Sequence, residues 1–195
     1  MGVGSLVRAA PAGIFARMPA PQDTRAPFAR AELPVWLITA AWDFVCASAL
    51  SVVVYHTPVA RLWRGVAATA LGPAALQGGA SAVAAGIGLH LAVALVWSAL
   101  FVAAAQRSRA LRDAIRTPMG ALAVAAVYGP AIWLAMSLVV IPLATGRLPT
   151  FGVRWWVQVV AHVPFVAIPL VFTARRVLGA APESGAARRP VVTAT

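Results

Sequence analysis

The chain has 195 residues, 61% hydrophobic and 11% charged, with a mean hydropathy of +0.83. A soluble domain needs roughly twice that charge to cover its surface, so the composition points to a bilayer. The net charge of +11 also raises nucleic acid as a partner, but the arginines flank apolar runs and no nucleic-acid module is visible. The charge is therefore read as membrane orientation and contact with lipid headgroups.

Residues 1–33 carry scattered arginines and prolines and lack the apolar core and cleavage site of a signal peptide. They read as a disordered cytoplasmic tail, with a faint likeness to an organellar transit peptide. The first predicted span covers 35–55, opened by Pro34 and closed by Thr57-Pro58. Residues 59–73 predict a short interfacial helix, stopped by Gly72-Pro73. Arg61, Arg64 and Ala68 share one face there; Leu62, Val66 and Ala70 share another; Trp63 suits the headgroup layer. A re-entrant segment through the Gly-rich stretch before residue 80 is the alternative.

The second span covers 81–105 and the third 119–144, with Gly129-Pro130 predicting a kink. The fourth covers 155–173, with Trp155 and Trp156 at its outer interface. Residues 34–178 thus form an all-α, four-span membrane domain, and 179–195 form a second disordered tail.

There is no lysine, and the sixteen arginines divide 4, 2, 4, 2, 4 over the five segments outside the spans. Odd-numbered segments share one side, so the count is twelve against four and both ends are expected in the cytoplasm. Lysine-free, alanine-rich usage suggests a bacterial inner membrane.

Asp43 lies inside the first span, where a carboxylate costs at least about 2.5 kcal/mol and often marks a functional path. A helix–helix clamp is the plainer reading. His90 and His162 lie in the outer halves of the second and fourth spans, each followed by arginines, which hints at a parallel repeat. Their depths leave open an Asp43–His90 contact, a His90–His162 pair, or haem ligation by the two histidines. Structural polar packing competes with each. Gln77 caps the second span, and Gly86 and Gly88 permit close helix approach. The other acids, Asp23, Glu32, Asp113 and Glu183, are assigned to tails or the inner loop. With one cysteine, Cys46, no intramolecular disulfide forms. No phosphate loop, nucleophile elbow or metal-binding histidine pair is present, so no enzyme, cofactor or metal is expected.

The run Leu71-Gly72-Pro73-Ala74-Ala75-Leu76-Gln77-Gly78-Gly79, then Gly86-Ile87-Gly88-Leu89-His90-Leu91, resembles small bacterial inner-membrane proteins of the YagU-like group. Tyr128-Gly129-Pro130, Met136, Val139 to Leu143, and His162 with Ile168-Pro169-Leu170 extend the likeness over 38–177. Leu91 stands where the group has Phe, and Ser137 where it has Asn. The resemblance implies four spans and an Asp43, Gln77, His90 and His162 set; it brings no established activity. The expected description is a non-enzymatic inner-membrane protein with an intramembrane Asp43/His90/His162/Gln77 cluster. The alternatives are a small transporter or proton-linked channel, a haem-binding carrier, and a homo-oligomer or accessory subunit of a larger membrane complex.

Overall fold

A computed structural model describes residues 25–179, and side chains from Phe28 onward. Helix α1 runs Arg25–Val53, α2 Val59–Leu71, α3 Ala80–Arg107 and α4 Arg109–Ile115. A 3₁₀ turn, Pro73–Gln77, joins α2 to α3. Helix α5 spans Pro118–Thr145 and α6 spans Val153–Gly179. Each is interrupted by a π turn, Met136–Val140 in α5 and Val163–Ala167 in α6. No strand occurs among the described residues.

Four stretches are long and apolar enough to cross a membrane: Phe28–Val53 of α1, and the whole of α3, α5 and α6. Their outward side chains are apolar; Val127 is 73% exposed and Leu143 83%. A soluble monomer would not leave such a belt in water. The chain is a multi-pass membrane protein.

Local chemistry sets the boundaries. Ser108 caps α4 by accepting from the Leu111 amide, and Thr117 caps α5 by accepting from the Gly120 amide, with Pro118 in the first turn. The α1–α2 connection turns through His56, a non-glycine residue at φ 48°. Ser51 and Thr57 brace it, the Thr57 amide donating to the Ser51 carbonyl (2.8 Å) and Ser51 Oγ to the Thr57 carbonyl (3.0 Å). The Arg154 guanidinium lies 4.4 Å from the centre of the Tyr55 ring and ties the start of α6 to the end of α1.

Helix α1 packs on α3 and α6, α6 packs on α5, and α2 packs on α3. The core is built largely of small residues, including Ala31, Ala105, Ala121, Ala125, Ala167 and Ala174. In lipid, where apolar transfer gives little drive, such residues let helices close to van der Waals contact. The backbones of α3 and α5 stand further apart. An apolar groove of about 750 Å³ opens between them, lined by Trp97, Phe101, Val124 and Val127. Tyr128 bridges it, its hydroxyl donating to the Trp97 carbonyl (2.8 Å).

Two expectations change. A tail was expected up to residue 33, with Pro34 as the helix start. Instead α1 begins at Arg25 and holds Pro34 in its interior. Phe28, Ala31 and Val35 dock on the core, and that packing extends the helix past its proline. The bond that Pro34 cannot give would have gone to the carbonyl of Arg30, an exposed residue near the start of the span. The remaining tail residues, 1–24 and 180–195, lie outside the described residues.

The second change concerns α2. Its buried residues are Trp63 and Ala67, not the Leu62/Val66/Ala70 face, and Trp63 is 1% exposed, packed inside the fold. Gly86 of α3 causes this: a Cβ built there would overlap the Trp63 carbonyl oxygen, so only glycine lets α2 lie this close.

A similar approach joins α5 to α6. A Cβ on Gly129 would stand 2.7 Å from the His162 carbonyl oxygen. Gly129→Val is expected to cost about 1–3 kcal/mol, read as a lower apparent melting temperature in detergent. Ala126→Val, on the exposed side of the same helix, serves as control; equal melting of the two would contradict the contact.

Candidate functional site

Helix α1 presents polar residues to α3 at helical spacing. Glu32, Trp36, Thr39 and Asp43 follow one another at three- and four-residue steps on one face. Helix α3 runs the other way and offers Ser98, the Leu91 carbonyl and His90 in matching order. Ser98 Oγ donates to Glu32 Oε1 (2.6 Å), and Trp36 Nε1 donates to the Leu91 carbonyl (2.9 Å). His90 Nδ1 lies 3.8 Å from Asp43 Oδ2. A polar seam therefore runs down an otherwise apolar interface, with a carboxyl group near each end, about 16 Å apart along α1.

The proton count on this seam is informative. His90 Nε2 stands 3.4 Å from the Ala40 carbonyl oxygen, which can only accept, so Nε2 carries the hydrogen. A neutral His90 then turns the lone pair of Nδ1 toward Asp43. Two acceptors would then face each other unless a proton resides on one of them. The geometry suits a pair that shares one proton. At 3.8 Å it is also too long for a direct hydrogen bond, so the proton is not locked between them.

At the other end, Ser98 Oγ lies 2.6 Å from Glu32 Oε1 and 2.8 Å from the Ala94 carbonyl oxygen. One hydroxyl hydrogen cannot serve both. It goes to Glu32, the shorter contact, and the Ala94 carbonyl is its alternative acceptor. Glu32 is 6% exposed, and its Oε2 has no partner. Between the two ends, Thr39 is 1% exposed with its hydroxyl unpartnered. Buried polar atoms left in this way are uncommon in folded proteins.

Trp63 of α2 roofs the Asp43 end. Its indole stacks on Phe44 (centroids 4.8 Å, planes 8° apart) and tilts against His90 at 5.1 Å. Cys46, partly buried, sits one turn beyond Asp43 on α1.

The expected cluster assembles in part. Asp43 and His90 meet. His162 sits elsewhere: its ring packs on Trp133 of α5 at 5.0 Å, and its Nδ1 bonds the Gln158 carbonyl of its own helix (2.7 Å). No hydrogen bond, ion pair or ring contact joins it to Asp43 or His90 among the described residues. Each histidine has its own tryptophan, so a haem held between them draws no support from this geometry. Gln77 is exposed at the end of the 3₁₀ turn and makes no side-chain hydrogen bond among the described residues. Trp155 is buried against Phe151, Trp156 and Trp133.

Glu32 is the residue that sequence reasoning misplaced, because it precedes a proline and was assigned to a tail. The available signal was its spacing, eleven residues or about three helical turns before Asp43. No group of three or more histidine, cysteine, aspartate or glutamate side chains converges among the described residues. No family model, curated protein or solved structure matches the chain.

Proposed function

We propose that this chain is a non-enzymatic, proton-linked transporter of the bacterial inner membrane, with both ends in the cytoplasm. The observation that carries the reading is the Asp43–His90 pair, which faces two acceptor atoms across 3.8 Å inside membrane-length helices. Ionisable groups at such depth are expensive and mark ion or proton paths. Thr39 and Glu32 continue the seam toward the end of α1 where the arginines concentrate. The orientation rests on the twelve-to-four arginine count. Helix α2 forms a lid on the outer half, with its charged side at the membrane boundary and Trp63 turned inward. Membership in the YagU-like group is proposed on the Gly72-to-His90 run, in which Gly86 and His90 both meet α2.

The test is flux. Purified protein in vesicles carrying an internal pH dye is expected to dissipate an imposed pH gradient faster than empty vesicles. The measurement is made with and without a small-molecule extract of bacterial cytoplasm. Asp43→Asn, which keeps the size but cannot cycle a proton, is expected to return the rate to that of empty vesicles. An Asp43→Asn protein that folds and carries protons at the original rate would sink the proposal.

A further inference from the structure

The strongest charged feature lies away from the seam, where α3 and α6 end. A recess of about 660 Å³ there is lined by Arg112 and Arg116, at the end of α4, and by Arg175 and Arg176 of α6. Its floor is apolar, formed by Ile115 and Leu178. The arginines are held in place from behind. Arg112 Nη1 donates to the carbonyls of Ala105 (2.8 Å) and Gln106 (2.6 Å), and Arg175 Nε donates to the carbonyl of Arg116 (3.1 Å). Backbone oxygens position these groups but do not neutralise them. The one carboxylate at hand among the described residues is Asp113, which bonds Arg116 at 3.3 Å and is shared with Arg109 at 3.8 Å. Four guanidinium groups thus converge on a recess with one shared countercharge.

The other side of α4 differs. Leu111 and Ala114 line the apolar groove that runs between α3 and α5. The short helix therefore separates a cationic recess from an apolar channel of about 750 Å³. A free inorganic anion would use only the first. A phospholipid uses both, with its phosphate against guanidinium forks and an acyl chain in the groove. Basic pockets between membrane helices favour lipid headgroups of this kind.

We infer that this corner binds an anionic phospholipid: its headgroup sits among Arg112, Arg116, Arg175 and Arg176, and an acyl chain lies between α3 and α5. The excess of charge favours a headgroup with two phosphates over one. The site stands independently of proton transport by the seam.

The experiment is native mass spectrometry of the full chain released from nanodiscs of phosphatidylcholine with 10% (about one lipid in ten) diphosphatidylglycerol or phosphatidylglycerol. Wild type is expected to retain the two-phosphate lipid at a several-fold higher occupancy than the one-phosphate lipid. Arg175→Gln/Arg176→Gln is expected to lose it at least tenfold, and Arg176→Gln alone, on an exposed residue, to lose it in part. Arg109→Gln, outside the recess, is expected to retain it. Equal loss in Arg109→Gln would make the effect diffuse surface charge and overturn the site. Inorganic phosphate that displaces the lipid at equimolar concentration would make it a free-anion site and overturn the lipid assignment. Absence of retained lipid in wild type would overturn it as well.

Discussion

Gly86→Val is expected to destabilise the fold by about 3 kcal/mol or more, at the upper end of overpacking costs. The added side chain has nowhere to go. Its Cβ overlaps the Trp63 carbonyl oxygen, and the Ala67 amide nitrogen lies 3.2 Å away, so the obstruction is backbone and no rotamer relieves it. Helix α2 must lift off α3 as a unit. Two readouts follow: a lower apparent melting temperature in detergent, and a shift in tryptophan emission as Trp63 leaves its dry site. Gly88→Val is the control, because a Cβ there meets nothing within 4 Å. If both variants melt together, α2 does not pack where the structure puts it.

Trp63→Ala is the second large effect. Trp63 heads the fully buried side chains by volume, and its removal leaves a cavity where α2 meets Phe44 of α1 and His90 of α3. In water-soluble cores such deletions cost about 3–5 kcal/mol. Within lipid the lower end applies, because the loss is packing rather than transfer from water. Trp63→Phe is expected to recover most of the stability. It keeps a ring against Phe44 and His90, and it removes an indole N–H that has no acceptor. Function should respond in the same order. Without its roof the Asp43–His90 pair meets water, and vesicles with Trp63→Ala are expected to leak protons faster than wild type. Val153→Ala, 81% exposed, should leave both melting and leak unchanged. A Trp63→Ala protein as tight and stable as wild type would refute the lid.

The spans were legible because continuous apolar length is a local property. The runs around 81–105 and 119–144 differ from α3 and α5 by a residue or two at each end. Asp43 and His90 were legible as expensive residues at compatible depths, and the structure pairs them. What stayed hidden depended on contacts far apart in the chain. The burial of Trp63 is decided by Gly86, on the next long helix. The inclusion of Glu32 in α1 is decided by the docking of Phe28 and Val35 on α3 and α6, which overrides the boundary that Pro34 suggests. The separation of His162 from His90 follows from helix order, since α6 turns that histidine toward α5. Depth along a span can be counted in sequence; direction around a span cannot, until its neighbours are known.

Cys46 gives the seam its own gauge. It is the sole thiol in the chain, one turn beyond Asp43 and partly covered by the same packing. The thiolate is the form that attacks water-soluble thiol reagents, and apolar burial disfavours it. The rate at which such a reagent modifies the native, unmutated protein therefore clocks how often this part of α1 is wetted. Imposing a pH gradient during labelling turns that clock into a record of opening under load.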